Sequence, residues 1–409
     1  MRSIILLSPA KILLQHEEDE WMSTLGDSSL IFTDAAHMSE LIDHLPSMAS
    51  SLHFYKNFNE NAAVELDTLR LAKQLREPLV IALAEADLLR AARVNDRLQD
   101  RGSALESSTL LYRDKYLMKR RLAENGIKIA PMAVVTSPCE IIEFIERYGY
   151  PVVVKPRDGR GSGGVSVIKD PDTLFSWLHE QPYNSFHNLM IEKFLDAPLL
   201  NINGLYLDHQ PIIISPVRST VTCLQFLEGK SLGFQMLANA NPLHTECMKL
   251  TRRIIEQALP RFKNMLFHLE VFHHNNELVV CEIACRLGGC SVNDELREAF
   301  NVDARLSFIK SERLGKSTLG VRLLEPVRLV GQINIPPRSA TLIEHPITMD
   351  LPCIRRQTIT AKIGKTYSRM QLTNGEIVTA IVSGESEDDV TKNLDAVDNF
   401  VARAFIWDK

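Results

Sequence analysis

Residues 151–168 read PVVVKPRDGRGSGGVSVI. A β-branched apolar run predicts a buried strand, and the alternating run at the far end predicts a second. Between them Gly159, Gly161, Gly163 and Gly164 crowd the stretch from Asp158 to Gly164. Glycine at that density marks backbone that turns sharply or approaches a ligand closely. Phosphate oxygens need backbone N–H donors in a cradle free of side chains, plus a cation to offset their charge; Lys155 with these glycines offers both. The order is not that of a Walker A loop, whose lysine follows the glycines and opens a helix. Here the lysine precedes them and a strand follows. A mobile hairpin beside a surface lysine is the competing reading of the same residues.

Upstream, Tyr112 to Asn125 has helical spacing and is closed by Gly126, which suits a left-handed helix end. A strand around Ile129 to Val135 and a helix around Glu140 to Tyr148 lead into the loop. Downstream, a strand at Leu189 to Ile191 runs into EKFLDAP, Ile202 to Leu207 reads as a strand, and helical spacing returns from Pro242 to Leu259. Then comes FHLEVFHHNNELVVCEIACRLGG (267–289), two apolar strands about a polar turn. A three-residue loop at Asn275 to Glu277 would make Glu270 and Glu282 directly opposed, with Cβ atoms about 5 Å apart. Opposed like charges are destabilising unless a proton or cation intervenes, and paired carboxylates are hard-oxygen ligands of the kind magnesium takes. A one-residue slip would instead turn one Glu to solvent. Strand alternation puts Arg286 on the face of Glu282 and Ala284, where a guanidinium can grip an anion bidentately. His268 shares that face and is read as a packed, hydrogen-bonded residue.

The flanks are less specific. Ser3 to Leu7 and Leu79 to Leu83 read as buried strands and Asp87 to Leu98 as a helix, a small α/β layer with no GxGxxG after either strand. Residues 311 to 330 lack periodicity and read as a link. Strands are expected near Ile359 to Ile363 and Ile377 to Val382. A closing helix follows, with Val390, Leu394, Val397 and Val401 on one face and Ser386 as N-cap.

Composition bounds the function. The 409 residues are 45% hydrophobic and 24% charged, which excludes wholesale disorder or a coiled-coil rod. Forty-six Lys and Arg against 51 Asp and Glu leave a charge of −5, with no global positive field to gather nucleic acid. The longest apolar runs fall far short of the ~20 residues of a membrane span, and the N-terminus lacks a signal-peptide pattern. Both point to the cytosol. Seven cysteines fit reduced thiols better than a disulfide framework. Cys281, Cys285 and Cys290 lie close in sequence, but their spacing is not that of structural zinc.

Four ordered motifs, RDKYLMKRRLAENGI (113–127), PVVVKPRDGRGSGGVSV, LMIEKFL (189–195) and HLEVF followed by CEIACRLGG, span roughly residues 80 to 300. In these the chain resembles the ATP-grasp superfamily, and within it the carboxylate-amine ligases that include bacterial L-amino acid ligases. The resemblance implies an α/β (α+β) ATP-grasp fold with a pre-ATP-grasp α/β domain at 1–110. A nucleotide-binding core would follow at 111–310 with a lid subdomain at about 130–200, then a C-terminal α+β region at 311–409. It implies that Lys115 and Lys155 contact ATP phosphates and that Gly161, Ser162, Gly163 and Gly164 close over them. Glu192 and the backbone near Leu195 would form the adenine hinge, and Glu270 and Glu282 would hold magnesium, with manganese an alternative. Arg286 would be the catalytic residue that steadies the acyl phosphate and the tetrahedral intermediate. Three positions depart from the family pattern: Ala284 replaces a common metal-binding Asn, Leu199 an acid for the ribose hydroxyls, and Asn203 a common Asp.

The implied reaction is phosphorylation of a carboxylate by ATP, then attack by an amine to give an amide, ADP and phosphate. Small-molecule carboxylate and amine substrates are expected, amino acids foremost, with no nucleic-acid or membrane partner and a homodimer allowed. The rivals are a biotin-carboxylase-like carboxylase, for which no carrier or biotinylation motif is visible, and a nucleotide-binding sensor without turnover.

Overall fold

The computed structural model describes residues 1–99, 104–373 and 375–408. Three sheets carry the architecture. The first, near the N-terminus, is parallel, with strands in the order Leu52–Tyr55, Leu30–Asp34, Ser3–Leu7 and Pro78–Ala82. Ser3–Leu7 is buried at every position because helices cover both faces, which is why it reads as an unbroken apolar run rather than an alternating one.

The second sheet is small and antiparallel, ordered Met132–Val135, Leu189–Lys193, Val152–Pro156 and Ser166–Ile168. The helices Pro138–Tyr148 and Pro171–Glu180 back it, each opened by proline in its first turn and a capping box. The glycine-rich loop projects from its Val152–Pro156 and Ser166–Ile168 hairpin.

The third sheet dominates. Its eight strands run Glu277–Ala284, Met265–His274, Leu199–Leu207, Gln210–Ser219, Leu232–Met236, Leu329–Ile335, Val378–Gly384 and Ile354–Ile359. One face packs the helices Lys115–Glu124 and Pro242–Arg253. The opposite face packs Val292–Phe300, whose Val292, Leu296 and Ala299 meet Leu205, Ile213, Val330 and Ile381. The helix Glu387–Ala404, capped by Ser386, lays Val390, Leu394, Val397 and Val401 against Ile333, Ala380 and Val382.

Several expectations are corrected. The boundary expected between 310 and 311 falls inside the helix Ala304–Leu314, which packs Ile309 against the N-terminal core. The region 311–409 carries strands and a helix as expected, but three of its strands hydrogen-bond directly into the main sheet, while Leu342–Glu344 and Ile406–Trp407 pair as a two-stranded sheet. The strand expected near Ile359 to Ile363 lies earlier, at Ile354–Ile359, where it can reach Val378–Gly384. The helix expected from Tyr112 starts at Lys115, because the Asp114 carboxylate caps the Tyr116 and Leu117 N–H groups. The helix expected to run to Leu259 widens into a π turn at Ile254–Ala258.

One buried acid stands outside this polar economy. Glu295, on Val292–Phe300, is 1% exposed, and neither carboxylate oxygen has a hydrogen-bond partner; the Gln332 side-chain oxygen on the sheet below is likewise unpartnered. Burial pushes its pKa from 4.5 up to about 8. The folded chain thus keeps a proton that the unfolded chain releases, and stability falls as pH rises from about 4.5 through about 8. Glu295→Gln should flatten that slope, raising Tm at pH 8 by about 3 °C or more with little change at pH 5. Parallel pH profiles for variant and wild type would refute the assignment.

Candidate active site

The site lies where the glycine-rich loop, the start of Lys115–Glu124 and the Glu270/Glu282 hairpin converge. Lys155 is 6% exposed at the end of its strand, and the loop beyond it bends through positive φ at Gly161, Ser162 and Gly164. A Cβ on Gly163 would come within 2.8 Å of Leu372, and the Thr373 N–H donates to the Gly161 carbonyl at 3.2 Å. The loop therefore rests on a segment of the C-terminal region, and the close approach explains the glycine there.

Cations are held in place by carboxylates. Glu192 accepts from Lys119 Nζ at 2.5 Å and pairs with Lys155 Nζ at 2.9 Å, with all three side chains almost fully buried. Burial alone would raise the Glu192 pKa, but the two ammonium groups outweigh it and hold the carboxyl below its usual range. Burial would likewise lower the Lys155 pKa, yet Glu192 and Glu282 carry it upward, so the lysine stays charged. Lys115 Nζ donates to the Gly159 carbonyl at 2.7 Å and lies 3.1 Å from Glu282 Oε2, tying the loop to the hairpin.

Glu270 and Glu282 do face each other, by a different route from the one expected. The turn has two residues, Asn275 and Asn276, with φ of 50° and 60°, the left-handed pair that asparagine tolerates in a tight hairpin. Pairing runs from His274 with Glu277 to Val271 with Val280, then skips Cys281 so that Glu270 meets Glu282 and His268 meets Ala284. Without that β-bulge Glu270 would oppose Cys281, and Glu282 would turn to the other face. Burial would raise the Glu282 pKa, but Lys115, Lys155 and Arg286 bring it down to about 2. Glu270 is met by His268 Nε2 at 3.1 Å, and the His268 Nδ1 lies 2.8 Å from Asn203 Oδ1. Asn203 also accepts from the Gly288 N–H, so this residue anchors the turn that follows Arg286.

Arg286 is only partly exposed and meets a residue that follows the N-terminal parallel sheet. Glu85 Oε2 accepts from its Nε at 2.5 Å, and Glu85 Oε1 accepts from Arg113 Nη1 at 2.9 Å. Burial would raise the Glu85 pKa, and the two guanidinium groups together with Lys115 lower it.

Of the residues expected from the sequence, Lys115, Lys155, Glu192, Glu270, Glu282 and Arg286 share this region with the loop Gly161 to Gly164. Glu192 is placed on the lysines, and Leu195 lies in the connection that follows its strand. Lys119, Arg113 and Glu85 were not singled out. Lys119 was readable, since it lies one helical turn after Lys115 and shares its face. Glu85 gave no local signal, because its role depends on a domain contact 201 residues along the chain. The thiols of Cys281 and Cys285 are pushed up to about 12, chiefly by burial, and among the described residues no group of three His, Cys, Asp or Glu is placed to hold a metal.

Known proteins resemble this chain in sequence and in fold. The profile of the carbamoyl-phosphate synthase L chain, ATP binding domain, matches residues 114–200. The L-arginine-specific L-amino acid ligase of Bacillus subtilis is 28% identical over 273 residues, 65% of this chain and 64% of that protein. A D-alanine–D-alanine ligase of Geobacter sulfurreducens is 36% identical over 104 residues, 25% of this chain and 32% of that protein. The chain thus spans less than two thirds of the length of either relative. Among solved structures, an L-amino acid ligase from Bacillus licheniformis superposes with a TM-score of 0.75 at 17% identity, covering 100% of this chain and 99% of that one. A carboxyaminoimidazole ribonucleotide synthase from Aspergillus clavatus, complexed with ATP, gives 0.70 at 15% identity over 98% and 99%. These likenesses run the length of the chain and establish its fold.

Replacing Lys119 with Met leaves Glu192 buried with one cation in place of two. The expected loss is about 3 kcal/mol of unfolding free energy in a urea titration. An unchanged midpoint would show that Lys155 alone compensates Glu192.

Proposed function

We propose that this chain, which has the ATP-grasp fold, joins a carboxylate to an amine at the expense of ATP, releasing ADP and phosphate. One observation carries the reading. Lys115 touches both the glycine-rich loop and Glu282, which supports reading the loop as a phosphate cradle that works together with the carboxylate pair. The relatives named above include ligases of amino acids by name, which supports amino acids as both substrates here.

The chain's own residues account for the chemistry in two steps. In the first, a substrate carboxylate oxygen attacks the γ-phosphorus and the bond to the β–γ bridging oxygen breaks, leaving ADP. Lys115 and Lys155 offset the charge on the phosphates while the loop from Gly159 to Gly164 covers them and excludes water. In the second, the amine nitrogen attacks the acyl carbon, inorganic phosphate leaves with its bridging oxygen, and the nitrogen loses its proton. Arg286 stands beside the carboxylate pair, where it can hold the acyl phosphate and the oxyanion of the tetrahedral intermediate. Glu270 and Glu282 are hard oxygen donors on adjacent strands and suit a magnesium ion, with manganese as the alternative; Ala284 adds no donor. A cation bound there would neutralise charge on the triphosphate.

The test is release of ADP and phosphate from ATP with magnesium and paired amino acids, run with and without bicarbonate. Turnover should require an amino acid pair and be indifferent to bicarbonate, and Arg286→Ala should lower kcat by about 10²- to 10³-fold. Release of AMP and pyrophosphate, bicarbonate-dependent turnover, or full activity in Arg286→Ala would each overturn part of this reading.

A further inference from the structure

Glu85 lies in the short turn Glu85–Asp87 that follows the last strand of the parallel N-terminal sheet, outside the motifs that carry the ligase reading. Its carboxylate is shared. Oε2 takes Arg286 Nε at 2.5 Å and Oε1 takes Arg113 Nη1 at 2.9 Å, with the side chains of Glu85, Arg113 and Arg286 only 10%, 11% and 16% exposed. Each arginine has a second attachment. Arg286 Nη1 donates to the Leu287 carbonyl at 2.7 Å, and Arg113 Nη2 donates to the Asp158 carbonyl at 2.8 Å, at the start of the glycine-rich loop.

Two consequences follow from these four bonds. Arg286 is fixed through Nε and Nη1, so its Nη2 edge, which has no hydrogen bond within the described residues, is the one left for an anion. The same carboxylate connects that guanidinium, through Arg113, to the backbone of the loop. Two buried guanidinium groups beside Lys115 would repel each other and drift apart without an anion between them. A carboxylate at this point sets their spacing.

We propose that Glu85 is a positioning residue that sets Arg286 for the acyl phosphate and couples its placement to closure of the glycine-rich loop through Arg113. The inference rests on the ligase reading for its chemical consequence. When the loop is down, Asp158 holds Arg113, Arg113 holds Glu85, and Glu85 aims Arg286. When the loop lifts, the chain of bonds opens at Asp158. Acyl transfer is thereby confined to the closed state, where water is excluded.

The experiment compares wild type with Glu85→Ala, Glu85→Asp and Arg113→Ala, after thermal melts confirm folding. Three quantities are read: kcat against the KM for ATP, the ratio of ADP released to amide formed, and hydrogen exchange of residues 158–164 with and without magnesium ADP. Glu85→Ala should lower kcat by about 100-fold with the KM for ATP within about threefold, and should raise the ADP-to-amide ratio as water intercepts the acyl phosphate. Glu85→Asp should recover part of both. Arg113→Ala leaves the Glu85 pair with Arg286 intact, and should abolish the nucleotide-dependent protection of 158–164 and raise the ratio. It therefore carries the test if Glu85→Ala fails to fold. A wild-type ratio and wild-type loop protection in Arg113→Ala would overturn the coupling, and wild-type kcat in a folded Glu85→Ala would overturn the positioning role. If wild type forms no amide with any amino acid pair, the ligase reading fails, while loss of loop protection in Arg113→Ala still decides the coupling.

Discussion

A buried carboxylate stands against every buried cation of this site: Glu192 between Lys119 and Lys155, Glu85 between Arg113 and Arg286, and Glu282 beside Lys115. An ammonium group taken out of water keeps its proton, and a guanidinium that stays charged is held in place, at least cost when an anion lies within contact distance. That constraint explains why residues from the N-terminal domain, the small sheet and the main sheet have to meet at one place. No single strand or helix supplies the whole set. The helix Lys115–Glu124 brings two ammonium groups, the small sheet brings Lys155 with its counterion, the hairpin brings two carboxylates, and the N-terminal domain closes the balance with Glu85.

Much of this was legible because the relevant signals are local. The strand, glycine loop and strand of 151–168 and the alternating hairpin of 267–284 each declare themselves within a few residues, and Lys155, Glu270 and Glu282 follow from strand periodicity. The register of the hairpin was reached by compensating errors: the turn is one residue shorter than expected, and the bulge at Cys281 restores the pairing. A bulge has no composition that distinguishes it from an ordinary strand residue, so counting across the turn could not reveal it.

What the sequence did not show is non-local. The Glu85 contact with Arg286, the seating of the glycine loop on Leu372 and Thr373, and the insertion of Leu329–Ile335 between Leu232–Met236 and Val378–Gly384 are all products of tertiary pairing. Of the region from 311 to 330, the first residues close the helix Ala304–Leu314 and the last open the strand Leu329–Ile335; the segment between them lacks periodicity because it only connects the two. The independent-looking C-terminal part for this reason supplies three of the eight strands of the main sheet. Glu295 is a local case by contrast, since helical spacing from Val292 to Leu296 and Ala299 puts it, of the three acids in VNDELREAF, on the core face.

The strand order of the main sheet has a consequence during synthesis. Leu232–Met236 pairs on one side with Gln210–Ser219, already made, and on the other with Leu329–Ile335. Until residue 335 leaves the ribosome, the half-sheet that carries Glu270 and Glu282 ends in an open apolar edge at Leu232–Met236. Such an edge is a template for pairing with another nascent chain. The carboxylate hairpin can therefore be complete while that edge is still open, and the edge is closed only when Leu329–Ile335 arrives.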